Sequence, residues 1–169
     1  MLAGVLLAVA LAPMALESWL SNRHERRLRA AGAVEPAGDV YRMMQVAYPA
    51  CFVAMAAEGW LRGSDAGGLA GAGAVVFVVA KALKYWAMWT LGSRWSFRVL
   101  VPPRSGRVVS GPYAAIAHPN YVAVVLELAG MGLMAGAPVA MTASLAGFGL
   151  LLRRRIAVEE RALGIRRGL

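Results

Sequence analysis

The stretch YVAVVLELAGMGLMAGAPVAMTASLAGFGLLL, residues 121–152, is 32 residues long and carries a single charge, Glu127. A membrane crossing takes roughly 20 mostly apolar residues, so this run is too long for one untilted helix, and Gly136-Ala137-Pro138 divides it. It reads as a helical hairpin. Toward the N-terminus the same test picks out Met1 to Leu20 with only Glu17 charged, and Met43 to Leu61 with only Glu58. A further run, uncharged from Leu69 to Ala80, continues through Lys81 and Lys84 to Trp89. The expected fold class is all-α: a polytopic integral membrane protein with about five transmembrane helices, the last two forming the hairpin.

Composition agrees, since 59% hydrophobic against 16% charged residues is far too apolar for an ordinary soluble domain of 169 residues. The first run has no basic leader and no small-x-small cleavage site before the arginine cluster, so it reads as a retained helix. Cys51 is the only cysteine, which leaves no intrachain disulfide and no cysteine-based metal site.

A formal charge of +9 raises the question of nucleic acid, and the placement of the basic residues answers it. Of 18 Lys and Arg, 14 fall in Ser21 to Val40, Thr90 to Asn120 and Arg153 to Leu169, while Gly63 to Gly68 and the Gly136 turn have none. This is positive-inside asymmetry. It puts the N-terminus outside and the C-terminus in the cytoplasm. Anionic headgroups, not nucleic acid, then account for the charge.

With no long linker and no internal repeat, the chain reads as one domain. Residues 1–89 form a three-helix scaffold, residues 90–120 an interfacial segment on the cytoplasmic side suited to wall a ligand pocket, and residues 121–169 the hairpin and its C-terminal helix end. Gly67/Gly71 and Gly132/Gly136 have the small-xxx-small spacing of close helix packing, within one chain or between chains, so the oligomeric state stays open. Trp60, Trp86, Trp89 and Trp95 flank apolar runs as expected of interfacial anchors. Pro102, Pro103, Pro112 and Pro119 stop any long helix in the interfacial segment, and irregular backbone at membrane depth is tolerated where it lines a cavity.

The candidate chemistry sits at the ends of the hairpin. His118-Pro119-Asn120-Tyr121 brings an imidazole, an amide and a phenol to a helix N-terminus, where free N–H groups favour a ligand carboxylate. The plainer reading is that His118 and Asn120 cap that helix and Tyr121 anchors at the headgroups. Arg155 and Glu159 lie four apart on one helical face, either as a site or as a weak surface pair. Glu127 lies about two turns inside the hairpin, where a carboxylate faces a polar cavity or pairs with arginine or histidine.

Together, Gly111-Pro112-Tyr113, His118-Pro119-Asn120-Tyr121, the hairpin and Arg155-Ile156-Ala157-Val158-Glu159-Glu160 resemble the isoprenylcysteine carboxyl methyltransferase family over Lys81 to Leu163. Farther upstream, Glu17, Ser21-Asn22-Arg23, Glu25-Arg26-Arg27-Leu28, Ala31-Gly32-Ala33 and Glu35 are similar to a bacterial branch that O-methylates alkylpyrones and alkylresorcinols. The resemblance implies an S-adenosylmethionine-dependent O-methyltransferase acting on a lipophilic small molecule. It implies that Val108, Tyr113, His118, Pro119, Asn120 and Tyr121 contact the cofactor, joined by Arg107. It also turns Arg155 toward the substrate and Glu159 toward the cofactor, which makes these two the expected catalytic pair. Glu127 is a further candidate substrate contact. Ala117 stands where most members have arginine.

Methyl transfer from a sulfonium is an in-line displacement that depends on alignment, and an acceptor that arrives as a carboxylate or acidic enol needs no strong base. Two alternatives carry different consequences. Membrane sterol and enone reductases, which use NADPH, have a similar Gly-x-Tyr and His-Pro-x-Tyr segment but not the C-terminal Arg-x-x-x-Glu-Glu. An inactive membrane binding protein would keep the cavity and lose turnover.

Overall fold

The computed structural model describes residues 2–63, 67–103 and 106–164, so Arg104, Arg166 and Arg167 of the basic stretches lie outside the described residues. Five α-helices occur among them: α1 Leu2–Ala30, α2 Tyr41–Leu61, α3 Leu69–Leu91, α4 Pro119–Ala135 and α5 Pro138–Ala162. Two short 3-10 turns, Gly92–Arg94 and Gly111–Ala114, punctuate the connection from α3 to α4. No strand forms among the described residues; a single bridge pairs Val34 with Val101.

The hairpin is as expected. Gly136 adopts a left-handed conformation, φ 61°, that a Cβ-free residue reaches without penalty. The Gly136 and Ala137 N–H groups then bond back to the Leu133 and Gly132 carbonyls, closing the end of α4 in a Schellman turn. Pro138 opens α5 at a position where a missing N–H costs nothing. The exposed N–H groups of Val139 and Ala140 donate to the Glu58 carboxylate of α2, Ala140 at 2.6 Å. One acidic side chain thus caps a helix from a neighbouring one, a contact worth about 1 kcal/mol.

Helix α1, with 29 residues, is about 43 Å long and outruns the roughly 30 Å of a hydrocarbon core. Its last turns hold the arginine cluster. Helices α1 and α3 are both long and apolar enough to cross a membrane.

The glycine expectation needs correcting. A Cβ on Gly71 would meet nothing within 4 Å, whereas one on Gly73 would lie 2.7 Å from the Met134 nitrogen and 2.8 Å from the Gly130 carbonyl oxygen. The close contact is therefore Gly73 against Gly130, which brings the backbones of α3 and α4 together. Gly132 accommodates Met141 of α5, in the same chain. Trp95 also departs from expectation: Trp60, Trp86 and Trp89 are exposed, but Trp95 is buried at 2% exposure. It packs edge-on to Phe97 and His24, and its carbonyl lies 2.8 Å from His24 Nδ1.

Below these contacts the core runs through Phe52, Met55, Phe77, Leu128, Met131 and Phe148. Four charges are embedded in it. Glu17 of α1 and Glu127 of α4 face Lys81 and Lys84 of α3 at 2.7 to 3.3 Å, and Tyr48 donates to Glu127 at 2.5 Å. Glu127 was expected to face a polar cavity, to pair with arginine or histidine, or to contact substrate; it is fully buried and its partners are two lysines and a phenol.

Candidate active site

The end of the bundle that carries the arginines of α1 and α5 is tied together around Arg155. This side chain projects from α5 and is 4% exposed. Its Nη1 donates to Asp39 at 2.5 Å, its Nη2 donates to the Phe97 carbonyl, and its Nε donates to the Tyr121 hydroxyl at 3.2 Å. Tyr121 in turn donates to Glu159 at 2.6 Å. Arg155 and Glu159 are thus joined indirectly, through one phenolic oxygen.

His118 precedes α4, its ring stacked on Tyr121 with centroids 5.4 Å apart. Its Nε2 lies 3.3 Å from Glu160 and its Nδ1 3.8 Å from Glu159. No side chain caps α4, so the capping reading fails for His118 and Asn120. The Asn120 amide oxygen is instead buried without a hydrogen-bond partner. Tyr113 follows Gly111, whose φ of 55° turns the chain where a Cβ would lie 2.5 Å from Thr90 Oγ1. Burial, and after it the Glu159 carboxylate, push the Tyr113 phenol well above its ordinary value, so it is a neutral hydroxyl.

These residues lie between two cavities. One, of about 180 Å³, runs into the bundle past Met14, Met44, Tyr48, Val124 and Phe148. The other, of about 150 Å³, opens among Arg94, Arg98, Arg107 and Val108. Tyr113, His118, Tyr121, Arg155 and Glu159 border both. Arg107 and Val108 thus reach the site on the polar side, and Pro119 and Asn120 on the apolar side, together with Lys84. Glu127 stands behind Lys84 and Tyr48, away from the cavity wall.

Residues 73–165 match the family model described as isoprenylcysteine carboxyl methyltransferase (ICMT) family. The chain belongs to that family. Among curated relatives it is 29% identical over 94% of its length to "Uncharacterized protein YpbQ" of Bacillus subtilis, covering 95% of that protein. It is 25% identical over 85% of its length to an "Uncharacterized protein" of Haemophilus influenzae, covering 84% of that one. No solved structure matches it. Membership in the ICMT family marks the chain as a membrane methyltransferase.

The ICMT match begins at residue 73, yet part of the site lies upstream. Asp39 holds Arg155 and also accepts from the Val99 N–H at 3.3 Å. Ser21 accepts from the Phe97 N–H and donates to Glu25, both at 2.8 Å. Arg98 pairs with Glu25 and Glu35. The upstream motif residues therefore clamp the 95–101 segment in place. Asp39 was not among the expected site residues; its only sequence signal is that it is the second of two acidic residues, after Glu35, between basic α1 and apolar α2.

Proposed function

We propose that this protein transfers a methyl group from S-adenosylmethionine to an oxygen, a carboxylate or an acidic enol or phenol, of a lipophilic small molecule. The observation carrying this reading is the shared wall: an arginine-lined cavity and a more apolar cavity meet at Tyr113, His118, Tyr121, Arg155 and Glu159. Such a division suits a charged donor on one side and a hydrocarbon-tailed acceptor on the other.

The residues fit the donor. The orphaned Asn120 oxygen requires an N–H or O–H partner, since a buried acceptor left unmade costs about 1–3 kcal/mol. Glu159 offers a carboxylate to amino or hydroxyl groups, and its negative charge favours a neighbouring sulfonium. Arg107, Val108, Tyr113, His118, Pro119 and Tyr121 complete the set that would hold the cofactor. When bound, S-adenosylmethionine supplies an electrophilic methyl group.

The chain's own part is alignment. Arg155 is fixed by Asp39, Phe97 and Tyr121, so its remaining N–H donors have a defined direction in which to hold an acceptor oxygen. Holding two reactants in line supplies much of such a barrier reduction, up to roughly 7–11 kcal/mol in well-oriented systems. The Tyr121 hydroxyl couples acceptor and donor sides because it contacts both Arg155 and Glu159. The apolar lining excludes water that would compete for the methyl group.

In this reading all five helices cross the bacterial inner membrane, with the N-terminus outside and the C-terminus in the cytoplasm. Outward-facing Val46, Val53, Val75, Val78, Trp86, Val139 and Leu150 are exposed, as lipid-facing positions require. Residues 1–89 serve as scaffold and as one wall of the apolar cavity, residues 90–120 as the cofactor segment, and residues 121–169 as the hairpin bearing Arg155 and Glu159.

Binding of radiolabelled S-adenosylmethionine to the detergent-solubilised chain, with NADPH as rival, tests the donor. Membranes supplied with labelled donor and a panel of alkylpyrones, alkylresorcinols and prenylcysteines test the acceptor. The reading expects donor binding and labelled lipid. Protection by NADPH alone, or donor binding with no labelled product from any acceptor, overturns it.

A further inference from the structure

The group of Glu17, Lys81, Lys84 and Glu127 has no place in methyl transfer as described. Two acids and two bases balance, yet withdrawing each from water costs several kcal/mol, and apolar residues of similar volume commonly do as well or better. Ionisable groups within membrane helices usually mark a functional path.

Lys84 is the member that reaches the apolar cavity, although it is only 2% exposed. Its Nζ lies 2.7 Å from Glu17 Oε2 and 3.3 Å from Glu127 Oε1. An ammonium has three donors, and these two carboxylates occupy two directions around it. The third is left for a partner on the cavity side, beside Tyr48.

Position along the bundle sets a distance. Tyr121 stands at the reaction end of α4, and Glu127, against Lys84, lies six residues on, about 9 Å along the helix. On α5 the span from Arg155 to Phe148, whose ring packs 5.2 Å from that of Tyr48, is seven residues, or about 10 Å.

We infer that Lys84 is a second recognition point in the acceptor cavity, and that the methyl acceptor carries a neutral hydrogen-bond-accepting oxygen about 9 Å from its methylated end. Because the ammonium charge is already matched by Glu17 and Glu127, the preferred partner is a carbonyl, hydroxyl or ether oxygen and not a second anion. This inference rests on the function proposed above.

The test uses the full chain in detergent and measures binding by thermal stabilisation. The probes are a saturated long-chain fatty acid, the same acid with a keto group about 9 Å from the carboxyl, and an isomer with the keto group at the chain end. The mid-chain keto acid should bind about tenfold more tightly than the other two, the worth of one hydrogen bond to a charged donor. Lys84→Met should bind all three alike. The double variant Lys84→Met with Glu127→Gln leaves Glu17 and Lys81 as a balanced pair, so it separates recognition from folding, and it should also bind all three alike.

Equal binding of the three acids by the unaltered chain overturns the inference and leaves methyl transfer standing. A mid-chain preference that persists in the double variant overturns it as well. Absence of binding by every fatty acid overturns the inference, while methyl transfer itself falls only if the donor-binding and lipid-labelling tests above fail as well.

Discussion

Arg155 and Asp39 are 116 residues apart in the chain and 2.5 Å apart in the fold, with side chains 5% and 4% exposed. Breaking a buried pair from one side strands the other charge, at a cost of about 3–5 kcal/mol. Asp39→Asn should therefore lower the thermal midpoint clearly and reduce methyl transfer, since Arg155 loses its direction. A variant as stable and active as the parent would show that Asp39 does not position the guanidinium.

Tyr121→Phe removes the oxygen shared by Arg155 and Glu159 while keeping the ring that His118 stacks on. Single-turnover methyl transfer should fall by about ten- to a hundredfold, the loss of one or two charge-assisted hydrogen bonds. Glu159→Gln should weaken donor binding in the same assay. If Tyr121→Phe left the rate untouched, the phenol would be a packing group only.

Gly73→Val places atoms where a Cβ already lies 2.7 Å from backbone of α4, which cannot yield as a side chain would. Overpacking of this kind costs about 1–3 kcal/mol, read as a lower thermal midpoint in detergent. Gly71→Val, two residues away with nothing within 4 Å, should be nearly silent. The contrast between the two variants is the measurement.

Glu35 gives a pH dependence. Burial alone would raise its carboxyl, but hydrogen bonds from Arg29 and Arg98 outweigh this and hold it below its ordinary value of 4.5. A depressed carboxyl contributes its full stabilisation above pH 4.5 and loses it as pH falls through the folded-state value. The parent chain should lose thermal stability in that acid range more steeply than Glu35→Gln, and parallel curves would contradict the assignment.

The hairpin and the number of helices were legible because long apolar runs and a Gly-x-Pro break report directly on helix length. His118, Tyr121, Arg155 and Glu159 were legible as a group through family motifs, and their spacing about one hairpin placed them at a common end. Asp39 was not legible, because its role depends on where the α1–α2 connection returns in space. Lys81 and Lys84 were passed over as interruptions of an apolar run. Taken with Glu17 and Glu127, two bases and two acids in otherwise greasy helices require one another, and that balance was available from the residues alone. The Gly73–Gly130 contact was not legible, because spacing along one helix does not say which face meets a neighbour.

The main-chain contact of Gly73 with Gly130 makes α3 and α4 a single stiff plank. At that crossing the two helices sit backbone on backbone, with no pliable side chain through which the seam can widen. On the proposed function, a hydrocarbon tail arriving sideways from the bilayer would find its doorway on the flank lined by Met14 of α1, Met44 of α2 and Phe148 of α5, side chains that can swing aside while the plank stays shut.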